Sequence, residues 1–375
     1  MTSETTGTPA PARLTSLDVL RGLTVIGMIL VNATAGLASP QLEVFPILLH
    51  AKWDGLTLAD LVFPGFLMMM GVAVPMALRN AGSLNSAIGG KIFWRTARLF
   101  LIGLFLSNMW WLMDPAASEW RLWGVLQRIG IVYGVCSLLF LTTSARVRLG
   151  LIVAILVLYW PLTMIPALDG LPNDIWAKGQ NFVASVDRVL TGVHNYVKGP
   201  AGYDPEGLLG HLPAIAHGLI GVAIGEFLLK RPEPGSSRTL AVAGVAMLAA
   251  GVAWGFVFPV VKDIWSSSFV LVTCGITTIA LAALHWLIDK PGVRTDRIWI
   301  TFPLAFGVNA IAAYVLHELL AVMSILSWGA VTAPYRWAEP IVGSPVAALI
   351  PVAIFILLVW WPMDYLRRRN WIIKV

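Results

Sequence analysis

Charge is what this chain has least of. Only 12% of its 375 residues are Asp, Glu, Lys or Arg, whereas a soluble domain carries about 25%. So few charges cannot build a solvated surface over this length, and a soluble globular fold is excluded. Cysteine is almost absent. Cys136 and Cys274 both fall inside apolar runs, which argues against a disulfide framework and against a zinc site. No cleavable signal peptide, P-loop, dinucleotide fingerprint, G-x-S-x-G or H-E-x-x-H is visible. The formal charge of +6 is not a nucleic-acid footprint, because most basic residues sit in short loops beside apolar segments.

What is abundant is apolar sequence. The chain is 58% hydrophobic, with a mean hydropathy of +0.78. About ten apolar segments can be marked, each near the ~20 residues that span a bilayer. They run over 17–37, 57–78, 92–113, 123–142, 149–167, 208–229, 239–259, 268–288, 300–323 and 344–363. The expected fold is all-α, a polytopic membrane helical bundle of about ten transmembrane helices. Residues 1–16 are polar and Pro/Thr-rich and read as a disordered cytoplasmic tail. Residues 17–375 read as a single transmembrane domain with one long external loop at 168–207. Pro334 and Pro340 argue for a loop over 324–342.

Loop charges set the orientation. With the N-terminus in the cytoplasm, only Lys52, Arg121, Lys178, Arg188, Lys198, Lys262 and Arg336 of the 26 basic residues face outward, and Arg128 lies inside a helix. The remainder collect on the inner side, loop after loop. Both termini are therefore expected in the cytoplasm, and His50 on the outer face. The 168–207 loop is either a lid over a pocket or a loosely packed connector.

The segment HAKWDGLTLADLVFPGFLMMMGVAVP, residues 50–75, holds the densest chemistry. It places His50, Asp54 and Asp60 beside a span, where titratable groups are costly. Asp60 is placed either to cap the helix or to hold an imidazole in one tautomer. His50 would then act as a general base, or as a nucleophile carrying an acyl group. Asn32, near the outer end of the first helix, either bonds a neighbouring helix or orients a substrate carbonyl. Asp18 and Arg21 are spaced to pair within that helix. Gln127 and Arg128 fall inside the fourth segment, His217 and Glu226 in the sixth, and Asn309, His317 and Glu318 in the ninth. Each is a site candidate because a buried polar group in a span needs a reason. Many of the 17 Trp, including the Trp110–Trp111 and Trp360–Trp361 pairs, fit an interfacial belt.

Taken together, these motifs resemble the heparan-alpha-glucosaminide N-acetyltransferase family of transmembrane acyltransferases. The stretches that carry the resemblance are LTSLDVLRGLTVIGMILVN, HAKWDGLTLADLVFPGFLMMMG, WGVLQRIGIVYG, DPEGLLGHLPAIAHGLIG, IWSSSFVLVT, PLAFGVNAIAAYVLHE and the basic end RRRNWIIKV. They follow in order over nearly the whole chain. The resemblance implies a transferase that takes acetyl-CoA from the cytoplasm and acetylates the amino group of a glucosamine-type sugar on the far side. It maps the active-site histidine onto His50, with Asn32 and Asp60 as partners; apart from the resemblance, Asp54 is a further catalytic candidate, as an alternative to Asp60 in positioning His50. It also implies a homodimer and no metal.

Relative to the animal pattern this chain shows no large N-terminal extracytoplasmic domain. That pattern suits a bacterial relative in the inner (plasma) membrane, surrounded by lipid, with a small amino sugar or envelope fragment as acceptor. Arg21, Arg95 and Arg98 are the expected phosphate ligands at the basic inner boundary, with Gln127, Arg128 and His317 as further cofactor-binding candidates. The rival reading is a proton-coupled transporter of an amino sugar or envelope fragment, which would more often show repeated halves and matched broken helices.

Overall fold

The computed structural model describes residues 14–38, 42–231 and 235–374. Most of the expected tail, 1–13, lies outside the described residues. The chain forms α1 (Thr15–Ala38), α2 (Ala59–Leu78), α3 (Ser86–Ser107), α4 (Met109–Met113), α5 (Val125–Thr142), α6 (Ala145–Thr163) and α7 (Phe182–Thr191). It continues through α8 (His211–Lys230), α9 (Ser236–Gly255), α10 (Ser267–Ile288), α11 (Ile298–Val308), α12 (Ala310–Leu326), α13 (Trp328–Val342), α14 (Ser344–Ala347) and α15 (Leu349–Arg368). Thr15 and Ser16, expected in the tail, already belong to α1.

Each expected apolar segment is helical. Among the described residues, eight spans are long and apolar enough to cross a membrane: α1, α2, α5, α6, α8, α9, α10 and the joined α14–α15. α11 and α12 form a ninth span broken by 82°. α3 has 22 residues but carries Lys91, Arg95 and Arg98, which lowers its apolar character. The Arg95 guanidinium lies 4.6 Å from the Tyr133 ring centre, so its stem covers apolar surface while its charge stays outside.

Small residues let the spans touch backbone to backbone, as lipid offers no hydrophobic drive between helices. A Cβ at Gly22 would stand 1.8 Å from the Pro303 carbonyl oxygen, and one at Gly307 1.8 Å from that of Asp18. These contacts lock α1 onto α11. Gly71 and Gly221 close α2 onto α8 in the same way. α2 thereby occupies the centre, packed against α1, α5, α8 and α10. Most of α2 between Phe63 and Val74 is buried, with Leu67, Met68 and Met69 fully enclosed.

Two expectations are corrected. The segment 324–342 is not a loop but contains α13, with Pro334 and Pro340 inside it. Proline removes a backbone donor, and side chains here take up some of the carbonyls and link turns. Arg336 donates to the Gly329 carbonyl at 2.8 Å and to the Thr332 hydroxyl at 3.0 Å. The Tyr335 hydroxyl donates to Glu339 at 2.6 Å. The outer loop 168–207 is not a loose connector either. It contains α7 and contributes Ile175, Val183, Ala184 and Tyr203 to a second core with Trp53, Tyr159, Phe258, Val261 and Ile264.

Candidate active site

The W-D-G triplet after His50 explains how the site is held. Trp53 donates its indole N–H to the Ile175 carbonyl at 3.0 Å, which ties the segment to the outer loop. Asp54 accepts the Val260 N–H at 3.0 Å. Gly55 has φ +116°, a conformation glycine adopts without steric cost, and its N–H reaches the Val260 carbonyl at 3.0 Å. Asp54 is thus turned away from His50 and pins the 259–266 loop. This is a structural placement for a residue that the sequence leaves as a catalytic candidate.

Asp60 sits in the first turn of α2 with its side chain 1% exposed, while the imidazole of His50 is 41% exposed. Asp60 Oδ1 and His50 Nδ1 are 2.7 Å apart. Asp60 Oδ2 accepts the backbone N–H groups of Ala51 and Thr57, both at 3.1 Å, and the Thr57 hydroxyl at 2.9 Å. One carboxylate therefore closes the entry to the helix and orients the imidazole, so the two sequence readings of Asp60 are both realised. With Nδ1–H directed at the carboxylate, Nε2 carries the lone pair.

A third group completes the cluster. Lys262 Nζ lies 3.1 Å from Nε2 and 3.2 Å from Nδ1 of His50, and 4.0 Å from Asp60 Oδ1. Sequence reasoning counts Lys262 only as an outer-face charge. The available signal is its position just before IWSSSFVLVT. Ser266 braces its loop through the Pro259 carbonyl and the Val261 N–H, at 2.8 and 3.0 Å. Trp265, three residues on, holds φ +55°, unusual for a bulky residue and a mark of local strain.

Beyond Lys262 lies a second charge cluster. Arg121 donates to both oxygens of Asp204, at 2.8 and 2.7 Å, and to Glu206 at 2.5 Å. Burial opposes the Arg121 charge, but Asp204 and Glu206 outweigh it and hold the guanidinium protonated. Burial likewise opposes ionisation of Glu206, and Arg121, Arg128 and Lys262 hold it below the ordinary range. Burial and the neighbouring Asp204 push Asp187 up to about 7.

The remaining candidates separate. Asn32 donates to Glu318 at 3.4 Å and shares a cavity wall with His317. No hydrogen bond joins Asn32 to His50 among the described residues. His317 is buried edge-on to Phe355, with neither ring nitrogen bonded among the described residues. Gln127 donates to the Leu122 carbonyl at 3.1 Å and packs under Gly103 and Gly124. Arg128 reaches the Gly207 carbonyl at 3.4 Å and lies 4.8 Å from the Trp265 ring centre. Arg128 therefore sits under the end of the outer loop, and Gln127 against the segment 107–124 that precedes α5. Arg21 pairs with Asp18 at 3.1 Å and touches the Gly307 carbonyl at 3.3 Å. Arg95 and Arg98 are exposed on α3, which packs on α5. Glu226, half-buried, is bound by the buried Arg148 at 2.6 Å. Asn309 stands at the break between α11 and α12 and bonds the Trp371 carbonyl and the Ile373 N–H, at 3.0 and 2.9 Å.

A cluster of base, orienting acid and cation at the outer end of a bundle can accept a proton from an incoming nucleophile. Known proteins point the same way. The family profile described as heparan-alpha-glucosaminide N-acetyltransferase, catalytic, matches residues 13–249. The human heparan-alpha-glucosaminide N-acetyltransferase is 28% identical over 369 residues, covering 82% of this chain and 53% of that protein. The mouse protein of the same name is 26% identical over 364 residues, covering 82% and 54%. The chain thus spans about half the length of the curated relatives it matches. On the profile's extent, this multi-pass membrane protein belongs to the heparan-alpha-glucosaminide N-acetyltransferase family.

Proposed function

We propose that the protein transfers the acetyl group of cytoplasmic acetyl-CoA to the amino group of a glucosamine-type sugar on the outer face. The observation that carries this reading is the His50–Asp60 pair at 2.7 Å, with an exposed imidazole on a buried carboxylate. The amino group attacks a thioester as the free amine, and a base must take the proton that the nitrogen sheds as its bond to carbon forms. His50 Nε2 is the base. Asp60 fixes the tautomer and stabilises the imidazolium as it forms.

Acetyl-CoA is the co-substrate, and its phosphates need cations. Arg21 and the basic end of α15 flank the same break, because Arg21 touches Gly307 and the tail after Arg367–Arg369 bonds Asn309. This inner mouth is the phosphate site in the proposal, in place of Arg95 and Arg98. Asn32 and Glu318 border the path of the acyl arm toward the outer site. The acceptor is an amino sugar or an envelope fragment carrying one, and the protein works as a homodimer in a bacterial inner membrane.

The test is CoA release by purified protein in sealed proteoliposomes, given acetyl-CoA with and without glucosamine. Release that depends on the amine, with acetylated sugar formed in equal amount, is the expected result. Sugar movement across the bilayer without CoA release would favour the carrier reading, for which the broken α11–α12 span is the supporting feature.

A further inference from the structure

Lys262 can be given a role that rests on the acetyl-transfer reading. Its ammonium is nearly equidistant from the two nitrogens of His50, at 3.1 and 3.2 Å. In the ring plane, a point equidistant from both nitrogens at these distances would overlap Cε1. The ammonium therefore stands over the ring face, off the axis of the Nε2 lone pair. That lone pair stays open to a substrate proton, with a positive charge beside it.

The position is costly unless it serves something. Lys262 is 15% exposed, and the nearest carboxylate oxygen among the described residues is Asp60 Oδ1, at 4.0 Å. That is beyond hydrogen-bond range. Glu206 and Asp263 lie in its field from the outer-loop side without an ion-pair contact. The ammonium thus has charge compensation nearby but spends no N–H on a carboxylate. The loop also holds it rigidly, through Asp54, Gly55 and Ser266.

We propose that Lys262 is a catalytic residue that binds the acyl oxygen as negative charge develops on it. The amine nitrogen bonds to the thioester carbonyl carbon, and the C=O π pair moves onto oxygen, facing the Lys262 ammonium. His50 Nε2 takes a proton from the attacking nitrogen. The oxygen pair then re-forms C=O, the C–S bond breaks, and the sulfur leaves with its electron pair and takes the proton from His50. Lys262 ends the cycle as it began. Fixed charge aimed at a developing oxyanion in a partly dry site is among the strongest contributions to catalysis. Among the described residues, the charged groups in contact with the imidazole are Asp60, from α2, and Lys262, from the 259–266 loop.

Lys262→Gln should lower kcat about 10²–10³-fold, the range for loss of one oxyanion donor, with KM for both substrates little changed. Lys262→Arg keeps the charge and should retain most of the rate. Rescue by Lys262→Arg and an unchanged KM in Lys262→Gln separate a charge effect from a structural one. A Lys262→Gln protein with near-normal kcat overturns the proposal. So does a slow one whose loss is matched in Lys262→Arg or comes with an equal rise in KM, since that is the pattern of a purely structural residue. Wild-type protein that never releases CoA with any amino sugar overturns the acetyl-transfer reading itself, a distinguishable result.

Discussion

Two histidine–aspartate pairs of nearly equal length occupy opposite ends of the bundle. At the outer end His50 Nδ1 meets Asp60 at 2.7 Å, and at the inner end His285 Nδ1 meets Asp289 at 2.8 Å. Their surroundings differ. His50 is 41% exposed, whereas the His285 side chain is 0% exposed. Asp60 spends its second oxygen on two backbone N–H groups of its own entry turn. Asp289 accepts the N–H of Ser16 at 3.2 Å, and its other oxygen takes the Ser16 hydroxyl, so it ties the start of α1 to the end of α10. Pair geometry alone does not make a site. Access to the second ring nitrogen does, and only the outer pair offers it together with a neighbouring ammonium.

Substituting both members of each pair would test that contrast most directly. His50→Ala should reduce amine-dependent CoA release to background. His285→Ala should leave turnover within a few-fold while lowering thermal stability by about 1.5–3 kcal/mol, the worth of a hydrogen bond to a charged group. A fully active His50→Ala protein would remove His50 from the mechanism. Next in size, Asp60→Asn should cost about 10²–10⁴-fold in kcat, because the imidazole loses its orienting anion. Asp289→Asn still accepts from Ser16 and should be nearly silent in turnover. Equal losses in the two would mean the pairs play the same role.

Smaller effects probe the supports of the outer site. Asp54→Ala removes the acceptor of the Val260 N–H and frees the loop that carries Lys262. About a 10–100-fold loss of kcat is expected from misplacement, with KM for both substrates little changed. An unchanged rate would show that the loop holds its shape without Asp54.

The smallest effect is on the outer loop. Asp187 is raised to about 7 by burial and by Asp204. A carboxyl raised above its unfolded value contributes stability that is complete below about pH 4 and is lost as pH rises through about 7. Amide protection factors in 182–208, corrected for intrinsic exchange, should therefore fall between about pH 5 and about pH 7.5, and Asp187→Asn should flatten that slope. A wild-type loop with the same protection at both values would contradict it.

Much of the outer site is legible from local pattern. The spacing of His50 and Asp60 within ten residues keeps both on one turn and its flanking segment, so their pairing needs little of the rest of the fold. Other assignments fail where they depend on which way a helix face turns. Inner-side charge groups Arg95 and Arg98 with Arg21, yet α3 packs on α5 and leaves them exposed. Gln127 and Arg128 are readable as residues near the start of the fourth segment, beside the outward Arg121, but not as partners of Leu122, Gly207 and Trp265. The prolines of α13 read as breakers because a sequence does not show that Arg336 and Tyr335 will bond across its turns.

By itself, then, the sequence determined the membrane class, most of the spans and the His50–Asp60 neighbourhood, while the 92–113 segment is helical without being apolar enough to count as a span. The legible features rest on hydropathy and short spacings, which are sums over nearby residues. Tertiary structure alone decided that Lys262, 212 positions away, stands over His50. It also decided that Asp54 holds the 259–266 loop, and that one His–Asp pair is open while the other is sealed. Those outcomes depend on helix rotation and loop packing across the bundle, which no local window contains.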